Sequence, residues 1–155
     1  MSSQLYFYNK LRLYIMDGTV DFDTDTIKCM LLKSDYVPDL SHAVLADICT
    51  SPTPEVEAIA SPSNGYTEGG VELTGAALTE VPSPVSVNLT FDPVEWFSLT
   101  ATFMYAVFYV ADTKNGLLNP LLAYVVLDYE GQTSIVVNGV DYQIQMPTDG
   151  LMTLA

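Results

Sequence analysis

Ala101-Thr102-Phe103-Met104-Tyr105-Ala106-Val107-Phe108-Tyr109-Val110-Ala111 is the stretch on which the fold turns. Its apolar residues do not alternate with polar ones. A strand made from it must therefore be covered on both sides, by the rest of the domain or by a neighbouring subunit. Reading outward, further β-type segments fall at 71–78, 86–91 and 94–97 before it, and at 121–129, 134–137, 140–146 and 151–154 after it. Turn residues separate them, and spacings of about eight to twelve residues are the pattern of an all-β sandwich or barrel. The strongest local signal is Ile135-Val136-Val137-Asn138-Gly139-Val140-Asp141-Tyr142. Asn-Gly between β-branched runs predicts a type I′ hairpin, because both central residues of that turn need positive φ.

The N-terminal third has a different pattern. Leu5, Tyr8, Leu11 and Ile15 recur at helical spacing, and Asp17-Gly18 supplies a stop, predicting a helix over 3–16. Asp21-Phe22-Asp23-Thr24-Asp25-Thr26 is a turn-rich lead into a strand at 27–33, and 34–41 reads as a loop. One or two helical turns are expected within 41–48, capped by Asp39 or Ser41. Residues 50–70 are rich in Ser, Pro, Thr and Gly. Pro52, Pro54 and Pro62 exclude a central strand, so a long exposed excursion with a short extended piece at 55–60 is expected. The whole is read as one domain over 1–155: a single antiparallel β-sandwich, jelly-roll or immunoglobulin-like, with an N-terminal helix or arm at 1–17 and a long loop at 50–70.

The chain has 155 residues, 49% of them hydrophobic, yet nineteen acids against five bases give a formal charge of −14. Disordered chains combine high charge with low hydrophobicity, so this one is expected to fold. Nucleic acid and anionic membranes are poor partners for such a charge. Residues 1–35 hold Lys10, Arg12, Lys28 and Lys33 against five acids, whereas from Tyr36 onward fourteen acids face Lys114 alone. With only 15% charged residues, the surface must carry spare apolar area, as assembly subunits do. Cys29 and Cys49 show no disulfide-scaffold spacing, and Cys29 reads as a buried free thiol. The N-terminus lacks the basic segment and apolar core of a signal peptide, and 101–111 is about half the length of a membrane helix, so a soluble cytosolic product is expected.

Catalytic constellations are not found. His42 stands outside any Ser-His or Cys-His motif, and a lone histidine without a Cys-x-x-Cys pair cannot assemble an ordinary zinc site. Phosphate-binding glycine motifs and the Gly-x-Ser-x-Gly elbow are missing too. No catalytic residue and no cofactor is assigned. Asp21, Asp23 and Asp25 begin like a calcium loop, but its sixth and twelfth positions fall on Thr26 and Leu32. They read first as turn formers, and second as a weak candidate cation site shared with neighbouring chains. Ten tyrosines and six methionines fit either a core or protein contacts. Lys10, Arg12, Lys28 and Lys33, with Tyr6 and Tyr8, are the candidate partner-binding residues. A carbohydrate-binding face using exposed tyrosines and Trp96 is a smaller possibility.

Several short motifs occur in a fixed order: Phe22-Asp23-Thr24-Asp25-Thr26-Ile27-Lys28, Ser34-Asp35-Tyr36-Val37-Pro38-Asp39 and Gly65-Tyr66-Thr67-Glu68-Gly69-Gly70. Phe91-Asp92-Pro93-Val94-Glu95-Trp96, Tyr105-Ala106-Val107-Phe108-Tyr109, Pro120-Leu121-Leu122-Ala123-Tyr124 and Asp149-Gly150-Leu151 follow. This order resembles a group of small virion structural proteins of tailed bacteriophages, over almost the whole chain. The resemblance implies a non-enzymatic β-rich particle component, either a capsid decoration (cement) protein or a neck, tail or fibre accessory subunit. It implies the major capsid protein or other virion subunits as partners, location in the virion, and a homo-oligomer, with a trimer expected. The Pro-rich excursion departs from the family pattern and is expected to be a contact loop.

Overall fold

A computed structural model describes residues 4–83, 85–128, 133–147 and 150–154. The fold is mainly β, every paired strand is antiparallel, and the described helical content is one short α-helix and one 3-10 turn. Residue 3 of the expected helix, Tyr129 and Asp149 lie outside the described residues.

The central sheet has five strands in the order β1-β10-β7-β2-β3, with β1 Gln4–Phe7, β2 Ile27–Leu32, β3 Val71–Glu72, β7 Tyr105–Val110 and β10 Leu121–Val126. β7 is its middle strand, and the non-alternating run finds cover on both faces as expected. Ala106, Phe108 and Val110 enter one core with Cys29 and Leu31 of β2 and Ala123 and Val125 of β10. Val107 and Tyr109 enter another with Met30, Leu32, Tyr124 and Val126. The first core is closed by β6 Val94–Phe103 and β11 Ile135–Ile144, through Trp96, Leu99, Phe103 and Ile144, and by Leu89 and Met152 of a smaller sheet. The second core is roofed by Tyr36, Leu45 and Ile48 from the segment after β2. Its tyrosines bond and stack: Tyr8 and Tyr36 share an O–H···O bond of 2.7 Å, and Tyr6 stacks on Tyr124 at 5.1 Å.

Several sequence expectations are corrected. The helix over 3–16 is only α1, Leu11–Met16. Residues 4–7 extend instead as β1, because the edge of β10 offers them a ladder from Gln4↔Val126 to Phe7↔Ala123. The stop is as read, with Gly18 at φ +75°. The run 101–111 is cut at Met104: residues 101–103 finish β6, and the chain then enters the central sheet as β7. Most consequential, Asn138-Gly139 is not a turn. β11 passes straight through it and pairs with β6 from Ile135↔Phe103 to Ile144↔Val94, with register shifts on either side of Val140. Gly139 takes the left-handed conformation (φ +65°), but Asn138 does not, so the type I′ turn cannot form. The extra residues make bulges. The Gly139 N–H donates to Thr100 Oγ1 at 2.8 Å, and opposite it Ser98, itself at φ +49°, donates to Asp141 Oδ1 at 2.8 Å.

The remaining strands are β4 Ala77–Pro82, β5 Val85–Thr90, β8 Thr113–Lys114, β9 Leu117–Leu118 and β12 Met152–Leu154. β12-β5-β4 form a three-stranded sheet and β8-β9 a small hairpin. The single segment expected at 71–78 is thus divided between β3 and β4. The helical turn within 41–48 is the 3-10 turn Leu45–Asp47, and its cap is neither Asp39 nor Ser41. Asp47 accepts from the N–H groups of Ala43 and Val44, while Asp39 caps its own turn at Ser41. The Pro-rich excursion is fastened at both ends. Lys33 N–H donates to Pro54 C=O, Val56 N–H donates to Leu31 C=O, and Val56 and Tyr66 are buried.

Candidate interaction surface

The acidic turn that heads β2 is committed to its own folding. Asp21 Oδ1 accepts from Asp23 N–H at 3.0 Å, and Asp25 Oδ2 accepts from Asp21 N–H at 2.8 Å. Asp25 Oδ1 pairs with Lys114 Nζ at 2.7 Å, its carboxylate almost wholly enclosed. Hydrogen bonds from Asp23 and Thr24 hold the Asp21 carboxyl below its usual range. The turn reading of Asp21, Asp23 and Asp25 therefore accounts for their geometry, and no cluster that could hold a metal occurs among the described residues.

The bases do not form one patch. Lys28 lies within β2 and Lys33 just after it, about 16 Å apart at the strand rise, and Lys33 lies 3.9 Å from Asp35. Lys10 and Arg12 are exposed at the start of α1, beside Leu13 and Met16. Of the tyrosines expected at a contact, Tyr6 is partly exposed, but Tyr8 is only 1% exposed and belongs to the second core. Trp96 is likewise buried, at 2% exposure, so it is no sugar-binding platform. Its indole N–H finds no partner. Cys29 is a buried thiol, as expected, and burial pushes it far above the usual thiol range.

His42 borders an open groove of about 440 Å³ with Asp35, Asp39, Asp47 and the exposed Val37. Its Nδ1 is enclosed without a hydrogen-bond partner. Next to the groove, Glu55 Oε1 accepts from Tyr66 Oη at 3.0 Å and Gly69 N–H at 2.6 Å, while Tyr109 Oη donates to Gly69 C=O at 2.6 Å. Partial burial raises the Glu55 carboxyl despite these bonds. The network clamps the excursion to β2 and β7, which is a structural task.

Among the described residues, one group of exposed apolar side chains lies on the sheet β12-β5-β4. Register pairs Leu89 with Leu78 on one side and Met152 on the other, and Val87 with Glu80 and Leu154, so alternation places Leu78, Val85, Val87 and Leu154 on one face together with Glu80 and Pro82. The inner end of that face, Leu89 and Met152, is part of the first core. Its outer end emerges into solvent with exposures of 55% for Leu78, 70% for Val85, 40% for Val87 and 49% for Leu154. In β4 every residue but Val81 is exposed, and Val81 is only half-buried. An isolated hairpin is marginal in water, and exposed apolar patches rimmed by polar groups, as Val85, Val87 and Leu154 are by Glu80, mark binding sites. Sequence reasoning placed contacts on bases and tyrosines and missed this face. Its only available signal was the charge pattern: between Glu72 and Asp92 the chain carries one charge, Glu80.

No family model, no curated protein and no solved structure matches the chain.

Proposed function

We propose that this protein is a non-enzymatic structural subunit of a tailed-phage particle, a capsid decoration protein that grips its neighbours through the β12-β5-β4 face. The observation that carries an assembly role is that face: a core surface prolonged into solvent on a hairpin that no other described residue covers. The phage context comes from the collinear motifs of the sequence. The acid excess elsewhere keeps subunits soluble and apart before assembly.

Magnitudes constrain how such a subunit works. Covering four half-exposed aliphatic side chains contributes about 1 kcal/mol each. Association itself costs at least about 4 kcal/mol. One face therefore holds weakly, and durable attachment needs additional contacts or several faces acting together. Stabilisation of the shell then follows mass action, since a ligand of the assembled state favours that state.

The test is the composition of purified particles. A copy number on the order of hundreds against the major capsid protein supports shell decoration. About a dozen or fewer places the chain in the neck or tail instead. Absence from intact particles refutes the proposal. Val85→Asp and Leu78→Asp, both at exposed positions, are expected to lower incorporation while leaving the isolated protein folded.

A further inference from the structure

We infer that β4 is an open sheet edge that pairs antiparallel with β4 of a second copy of this chain, joining two β12-β5-β4 sheets into one six-stranded sheet about a two-fold axis. β4 stands last in its sheet, and its ladder with β5 runs from Ala77↔Thr90 to Pro82↔Val85 without a register shift. The β6–β11 pair, by contrast, is interrupted by two shifts. Natural edges are usually blunted by bulges, shortness, several charges or an internal proline. β4 has six residues, one charge, and its only proline at the end. A regular edge that no other described strand pairs is a template for another strand.

Charge argues that the strand comes from a second copy. Two chains of charge −14 repel wherever their acids meet, but between Glu72 and Asp92 each presents only Glu80. A basic partner would find fewer carboxylates here than on the acidic turns at 17–25 or 35–47, so this edge is poorly suited to selecting one. The strand is also self-complementary. With the two-fold normal to the sheet, paired residues share a face only when the axis passes through a residue. An axis at Thr79 pairs Thr79 with its own copy, Leu78 with Glu80, and Ala77 with Val81, and leaves Pro82 outside the ladder. An axis at Glu80 would oppose two carboxylates, which is unfavourable. The Thr79 register also sets the two Leu78 faces side by side, with Glu80 of each copy beside Leu78 of the other. This geometry gives a dimer, not the trimer expected from the sequence.

Sedimentation equilibrium of the full chain at about 10–100 µM tests it, a range that detects micromolar association. The wild type is expected to sediment as a dimer. Thr79→Lys and Thr79→Glu, at an exposed position, are each expected to sediment as monomers, because the axis opposes like charges. An equimolar mixture of the two should regain the dimer. Independently, Thr79→Cys in a Cys49→Ser background is expected to form a disulfide-linked dimer on mild oxidation, since directly opposed strand residues lie within disulfide reach. A monomeric or trimeric wild type, an unaltered dimer in Thr79→Lys, or failure of Thr79→Cys to cross-link would overturn the inference. The particle-composition test is separate: a monomeric subunit found in particles removes this pairing and leaves the proposed function standing.

Discussion

Two glycines, both at positive φ, should respond very differently to the same substitution. Gly139 has φ +65° and Gly70 has φ +84°, both in the left-handed region that disfavours a Cβ. That conformation costs an ordinary residue about 1–2 kcal/mol. Loss of unfolded-chain freedom on Gly→Ala returns about 0.4–1 kcal/mol. At Gly139 nothing lies within 4 Å of an added Cβ, so Gly139→Ala is expected to cost about 1 kcal/mol net. At Gly70 the same Cβ would collide with the Cys29 carbonyl oxygen and come within 2.6 Å of its carbon and 2.8 Å of Met30 Cα. Those atoms belong to β2, in the body of the central sheet, and cannot move aside as a flexible side chain could. Relief requires lifting Gly70 and β3 off β2, with loss of the Cys29↔Val71 and Lys28↔Glu72 pairs and strain on the Gly69–Tyr109 bond. Gly70→Ala should therefore cost about 3–5 kcal/mol, in the class of severe backbone lesions. At about 2–4 °C per kcal/mol for a domain of this size, Tm should fall by about 3 °C for Gly139→Ala and by about 10 °C or more for Gly70→Ala. Thermal and urea unfolding of both variants checks this. Equal losses, or a larger loss at Gly139, would refute the claim that backbone proximity, not φ, sets the cost.

Tyr8→Phe removes one partner of a buried hydroxyl pair and is expected to cost about 1–2 kcal/mol, while the Tyr8→Phe/Tyr36→Phe double variant costs less than the sum of the singles in urea unfolding. The Glu55 carboxyl is raised by burial, so folding disfavours its charged form. Its contribution is most favourable below the unfolded carboxyl pKa and is lost as pH rises through the folded one. The stability of wild type relative to Glu55→Gln should then decline from pH 4 toward neutrality, and a flat or rising difference counts against the assignment. Calcium or a chelator should leave Tm unchanged, because Asp25 is occupied by Lys114 and by Asp21 N–H; a calcium-dependent rise in Tm would restore the cation reading of Asp21, Asp23 and Asp25.

Much of the candidate surface was not legible in the chain order. The tyrosines illustrate the difficulty: Tyr6 and Tyr8 are two residues apart, yet one is partly exposed and the other roofed over by Tyr36, a residue from a distant loop. Composition suggests that tyrosines belong at contacts, but only the packing of 34–48 against the sheet decides which of them can reach one. The β4 face is hidden for the opposite reason. Val85, Val87 and Leu89 alternate like any strand with one buried face, and nothing local says that cover stops after Leu89.

What the sequence determined by itself are the features that depend on neighbours along the chain. The β class, the double-sided strand at β7, the Asp turn before β2, the stop at Asp17-Gly18 and the buried Cys29 all follow from local sterics and hydrophobic pattern. The tertiary structure alone decided where an open edge would recruit a strand. Gln4–Phe7 became β1 because β10 had an unfilled ladder, and Asn138-Gly139 became bulges because β6 ran long enough to pair with both sides of it. Backbone hydrogen bonding is satisfied between segments distant in sequence, so local propensity yields wherever a longer ladder is available. Among the described strands, the same rule leaves β4 last in its sheet.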